Sequence, residues 1–274
     1  LKTYFGNPIT PMPGSLILAI PFLLIGNSAY QNFLWLFLFL ITMFYFFKDK
    51  QSAIFFFIII FALSPCVIQE FVTGGDLLAN SLYVLLSIVW VMRILPDMNI
   101  KEWVKILLTV FLGIGFSSRA NFLLLLPLIF SGLVFSTGWK AALKYTLIGC
   151  LTFLVITLPF YLYDPQNFSP IHTYGKLDQF QGIIPGIGMI APALTCLLSI
   201  LLSVFQKNND EVVLLRNCTI ILALPVVIAA TLQSIGLNTV NLFLLSYGLP
   251  IVFFGTMAFG FWLKKEENIK PNSI

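Results

Sequence analysis

Charge is what this chain has least of. Only 9% of its 274 residues are Asp, Glu, Lys or Arg, against roughly a quarter in soluble domains. Hydrophobic residues make up 59%, and the mean hydropathy is +0.96. Together these values exclude a soluble globular domain. His172 is the single histidine, and Cys66, Cys150, Cys196 and Cys218 are scattered without metal-ligand spacing. Three of those cysteines lie in apolar runs and are expected to be small core residues. The GxxxxGK[ST], GxGxxG, HExxH and GxSxG patterns are all absent, so nucleotide or hydrolase chemistry of the soluble kind has no support. The net charge of +4 belongs to membrane loops rather than to a nucleic-acid partner.

What the chain does have is long apolar runs. Stretches of about 20 apolar residues suffice to cross a bilayer. Such runs occupy residues 30–47, 52–67, 75–95, 102–117, 120–136, 139–163, 183–205, 212–232 and 235–263. The expected fold is an all-α polytopic transmembrane helical bundle of about nine spans, with residues 1–274 as one domain. The run at 15–26 is too short to cross and contains Pro21, so a re-entrant or interfacial helix is expected there. The chain opens at Leu1 in a polar, proline-rich segment with no charged n-region, as the later part of a longer protein would.

Alternating the loops from Tyr30 onward puts Lys48, Lys50, Arg93, Lys101, Lys105, Lys140, Lys144, Lys207, Arg216, Lys264, Lys265 and Lys270 on one side. Only Lys2, Arg119 and Lys176 fall on the other. The positive-inside rule makes the first side cytoplasmic, with the C-terminus inside and the N-terminal segment outside.

The outer face then collects the polar residues that carry chemistry. Gln69–Asn80 places Glu70 and Asp76 around the helix-breaking pair Gly74-Gly75. Asp76 opens the next helix, where it either caps free N–H groups or, with Glu70, binds a divalent cation (Mg or Mn) or a polar substrate. Arg119 follows Ser117-Ser118 at a turn between two spans. Its guanidinium can take a phosphate bidentately, with Ser118 adding a donor, or it can snorkel to lipid headgroups. His172 lies in the polar loop after residue 163, as a bystander or as a substrate contact. Asn167-Phe168-Ser169 matches a glycosylation sequon.

Three segments together resemble a known group. They are Thr10–Leu16 running into Leu18–Phe22, Gly115–Phe122 running into Leu123–Leu128, and Leu158-Pro159-Phe160 followed by Asp164–Phe168. In these the chain resembles the polytopic membrane glycosyltransferases of the C-type fold, which use polyprenyl-phosphate sugar donors. The resemblance implies a hexosyl- or pentosyltransferase acting on the non-cytoplasmic face, with the lipid bilayer and a lipid-linked sugar donor as partners. It further implies that Glu70 and Asp76 stand where the group's second acidic outer segment does, and that Arg119 holds the donor phosphate. The group's acidic residue in its first outer loop has no counterpart here. A transporter or flippase of lipid-linked or small polar solutes is the competing class, as is a non-catalytic membrane protein. Transporters place charged groups on broken helices near the midplane, whereas here the ionisable residues stand at the ends of the runs.

Overall fold

In the computed structural model, which describes residues 11–47, 49–166, 168, 177, 179–208, 210–240 and 247–269, one helix is wrapped by the others. That helix is α5 (Asp76–Ile94), of whose most apolar window 83% is buried; no other candidate span exceeds 33%. Its leucines and valines face neighbours on every side, and the buried hydroxyls of Ser81 and Ser87 are silenced by bonds to the carbonyls of Leu77 (2.7 Å) and Val84 (2.8 Å). A helix with buried residues on every side stands at the centre of a bundle.

The remaining described elements are α1 (Pro13–Leu24), α2 (Tyr30–Phe46), α3 (Lys50–Leu63), α4 (Pro65–Thr73), α6 (Glu102–Phe116), a 3₁₀ helix (Ala120–Leu125), α7 (Leu126–Thr137), α8 (Trp139–Tyr163), α9 (Ile187–Phe205), α10 (Glu211–Leu237) and α11 (Leu249–Ile269). No strand occurs among the described residues. Helices α2, α4, α6, α7 and α11 pack directly on α5. An aromatic seam, including Phe39 edge-on to Phe253 at 5.3 Å, closes α2 against α11. Glycine allows a close backbone approach between α6 and α8, where a Cβ on Gly113 would lie 2.5 Å from the Gly149 carbonyl oxygen.

The expectation of about nine spans is corrected. By length and composition five stretches among the described residues can cross a membrane: Asp76–Ile94, Ala120–Thr137, Trp139–Tyr163, Ile187–Phe205 and Glu211–Leu237. A sixth is reached if α3 and α4, bent by 84° at Ser64-Pro65, form one broken span. The chain is thus a multi-pass membrane protein with fewer long helices than apolar runs. Three physical reasons account for the difference. Helices α2, α3 and α6 stop at 17, 14 and 15 residues, and even 17 residues rise only about 26 Å against a core of about 30 Å. Pro65 opens a new helix inside the run at 52–67. The run at 235–263 is cut because Asn238, at φ 51°, ends α10 in the left-handed conformation. Where the run at 15–26 predicts a short helix, α1 stands at Pro13–Leu24.

Two chemically different ends result. At one end the Lys144 ammonium bonds Glu102 at 2.5 Å, Lys105 donates to the Leu95 carbonyl at 2.9 Å, Arg93 pairs with Glu211, and Lys265 pairs with Asp210 at 2.6 Å. The bond from Lys144 holds the Glu102 carboxyl below the ordinary carboxylate range. Burial pushes Asp210 up, but hydrogen bonds from Lys265 and from the Val212 amide outweigh it and hold Asp210 low. At the opposite end stand Asn32, Asp76, Ser117 and Arg119, bonded to one another or to adjoining turns. Helices α2 and α5 therefore run from the second end to the first, and α6 and α8 run back.

Of the four cysteines only Cys218 is buried. Cys66 and Cys150 are half-buried, and Cys196 is exposed on α9.

Candidate functional site

The turn between α4 and α5 is built by its two glycines. Gly74 closes α4 at φ 70°, a left-handed conformation that carries little cost only without a side chain, and a Cβ there would also meet Ala29 at 2.5 Å. Gly75 donates to the Glu70 carbonyl at 2.9 Å, and a side chain on it would occupy the place of the Glu70 carboxylate. The stripped turn lets Glu70 fold back, so that its Oε2 accepts from the Leu77 amide at 3.1 Å in the first turn of α5. Glu70 thus supplies a cap that α5 would otherwise lack.

Asp76 begins α5 and turns toward Arg119. The guanidinium Nη2 donates to Asp76 Oδ2 at 2.8 Å, and Asn80 Nδ2 donates to the same oxygen at 2.9 Å. Among the described residues both bonds fall on Oδ2, and Oδ1 accepts from none of them. The Arg119 side chain is 14% exposed and that of Asp76 is 36% exposed; the pair is mostly enclosed, with its open side at the carboxylate. The network continues inward along one face of α5: Tyr83 donates its hydroxyl to Asn80 Oδ1, which also accepts from Ser15 at 3.3 Å. Asp76, Asn80 and Tyr83 are spaced at i, i+4 and i+7, one helix face.

Backbone contacts seat α1 on the C-terminal end of α6, beside this face. Met12 and Gly14 donate to the carbonyls of Ser118 (2.8 Å) and Ser117 (2.6 Å). Gly14 also reaches the Ser117 hydroxyl, which lies 2.8 Å from that of Thr157 in α8. From α2, Asn32 donates to the carbonyls of Glu70 (3.2 Å) and Gly75 (3.0 Å), so it pins the glycine turn from below. One turn further along α2, Trp35 stands edge-on to Tyr83 with ring centroids 5.5 Å apart.

Three polar atoms in this region are buried with no hydrogen-bond partner among the described residues: Asn32 Oδ1, Trp35 Nε1 and Arg119 Nε. An unpaired buried donor or acceptor costs roughly 1–3 kcal/mol, and native structures hold few of them. One of the three, Arg119 Nε, belongs to the ion pair itself; the other two lie on α2.

Glu70, Asp76 and Arg119, read from the sequence as one site, are brought together here. Ser118 adjoins them but is fully buried, and its hydroxyl donates to the Gly115 carbonyl at 2.5 Å. His172, Lys176 and the sequon's Asn167 and Ser169 lie outside the described residues. Sequence reasoning missed Asn32, Trp35, Tyr83 and Ser15. The i, i+4, i+7 spacing of Asp76, Asn80 and Tyr83 was a usable signal for one of them; nothing in the sequence pointed to the other three.

The described residues do not assemble a divalent-cation site. No group of three His, Cys, Asp or Glu among them could hold a metal ion. One carboxylate of the pair is neutralised by a guanidinium and the other caps a helix, which leaves a hard cation too few free oxygens. No family profile, curated protein or solved structure matches this chain.

Proposed function

We propose that the protein is an integral membrane glycosyltransferase that moves a sugar from a polyprenyl-phosphate donor to an acceptor hydroxyl on the non-cytoplasmic face. The observation that carries this reading is the Asp76–Arg119 pair, an acid and a cation bonded to each other in an enclosed polar cluster that also holds Glu70. The two charges match the two demands of such a transfer. Asp76, through Oδ1, takes the proton of the attacking hydroxyl. Arg119 supplies the positive charge against which the lipid phosphate departs. Asn80 and Tyr83 hold the carboxylate in place, and Glu70 positions it by capping the helix on which it stands. No step is routed through a metal ion.

The sidedness rests on charge. Arg93, Lys105, Lys144, Lys264 and Lys265 all stand at the end opposite Arg119, as the positive-inside rule asks of a cytoplasmic end. The C-terminus is then cytoplasmic and the polar cluster faces outward.

The test is incubation of membranes holding the full-length protein with labelled polyprenyl-phosphate sugars. Transfer is expected from the wild type and not from Arg119→Ala at equal expression; undiminished transfer by the variant overturns the assignment. One observation favours a second reading. The 84° break between α3 and α4, beside the polar cluster, resembles the discontinuous helices of transporters. Sealed vesicles separate the two readings, since a transporter moves the labelled compound across the bilayer unchanged.

A further inference from the structure

A cleft of about 670 Å³ opens at the basic end of the bundle, between the last turn of α5, the start of α10 and the last turns of α11. Its size falls within the range of small-ligand sites, roughly 300–1,000 Å³. Its charges are layered. Arg93 and Lys265 have side chains 45% and 56% exposed, whereas their partners Glu211 and Asp210 are only 18% and 15% exposed. The cations thus form the rim and the carboxylates the floor. A third cation, Lys264, reaches the Phe46 carbonyl at 3.0 Å and forms no carboxylate bond among the described residues. Below the rim the wall is apolar, supplied by Met92, Val212 and Phe261. The Arg93 guanidinium is held in place over the rings of Phe46 (5.0 Å) and Phe261 (5.8 Å).

We propose that this cleft binds the phosphate headgroup of an anionic phospholipid, with Arg93, Lys264 and Lys265 as its ligands. Arg93 and Lys265 carry more N–H donors than their carboxylates occupy, so each can add a phosphate oxygen from the exposed side while it keeps its carboxylate. The guanidinium offers a bidentate fork and the two ammoniums add point charges. The apolar wall suits a glycerol backbone and the start of an acyl chain, which a free phosphate does not have. Helix ends of a multi-pass protein lie at the depth of lipid headgroups, where juxtamembrane basic clusters attract anionic lipid. The site requires neither the transferase reading nor the assigned orientation, because it lies at the opposite end from Asp76 and Arg119.

The test uses the purified full chain in neutral detergent, with retained lipid measured by native mass spectrometry. Phosphatidylglycerol and phosphatidylcholine are compared, with inorganic phosphate as competitor. Phosphatidylglycerol is expected to bind at least tenfold more tightly than phosphatidylcholine and to resist millimolar phosphate. Lys264→Gln with Lys265→Gln should weaken it by roughly fivefold for each cation removed. Asp210→Asn with Glu211→Gln should strengthen it, since the floor then no longer repels phosphate; Asn still caps α10. That gain keeps the proposal testable even if the lysine variant fails to fold, because a structural defect would not raise affinity. Lys144→Gln, at the same end but outside the cleft, should change nothing. Equal binding of both lipids, full displacement by phosphate, loss of binding in the acid-to-amide variant or equal loss in Lys144→Gln would each overturn it.

Discussion

Breaking the Asp76–Arg119 pair should cost much more than an exposed ion pair and less than a fully buried one. Exposed pairs contribute about 0–1 kcal/mol, and removing one partner of a buried pair costs about 3–5 kcal/mol. Here the cation is 14% exposed and the carboxylate 36%. Asp76→Ala leaves the more enclosed partner uncompensated, on a guanidinium whose Nε already has no partner among the described residues. It also strips Asn80 Nδ2 of its acceptor. A loss of about 2–3 kcal/mol follows. Arg119→Met leaves instead a carboxylate that water can reach, and should cost about 1–2 kcal/mol. The double variant has no orphaned charge, so its loss should fall short of the sum by about 1–2 kcal/mol. The measurement is denaturant unfolding at fixed detergent concentration, followed by circular dichroism, for all four members of the cycle. Additivity within about 0.5 kcal/mol would refute the claim that the two side chains act as one unit.

Three further outcomes are expected. Gly14→Ala puts a methyl against the Ile114 carbonyl oxygen and within 2.6 Å of the Ser117 carbonyl; because backbone must move, unfolding should be easier by about 1–3 kcal/mol, and a neutral result would mean that α1 is not seated on α6 as described. Trp35→Phe keeps the ring against Tyr83 and removes an N–H that bonds nothing among the described residues, so it should cost under about 1.5 kcal/mol, whereas Trp35→Ala should cost about 3–5 kcal/mol; equal losses would contradict this. Glu102 is held below the ordinary carboxylate range by Lys144. Its contribution is therefore complete above the unfolded value of about 4.3 and disappears as pH falls through the lower folded value. Melting temperatures measured from pH 6 down to pH 2.5 should drop less in Glu102→Gln than in the wild type, and parallel curves would count against it.

Much of the site was legible because it consists of rare residues. In a chain with so few charges, Glu70, Asp76 and Arg119 stand out, and Gly74-Gly75 announces the turn that joins two of them. Their roles were less legible. Glu70 reads equally as base, ligand or cap, and only its bond to the Leu77 amide chooses the cap among described contacts. Asn32 and Trp35 look like any other members of an apolar helix, because pinning a turn 38 or more residues away leaves no trace in local spacing.

For the fold, composition alone settled the class. A chain this apolar can satisfy its backbone polar groups in a membrane only through helices or a closed barrel, and its runs are too long and too little alternating for barrel strands. The gathering of lysines at one end was also written in the sequence, since the loops carry them. Where each helix stops was not. Hydropathy reads straight through Ser64-Pro65 and Asn238, and only the backbone conformation at those residues cuts the runs. Which helix lies at the centre was likewise a tertiary decision. By hydropathy α5 is the least apolar of the five candidates, yet it is the one enclosed. Its polar Asp76, Asn80 and Tyr83 need partners that other helices supply and lipid does not.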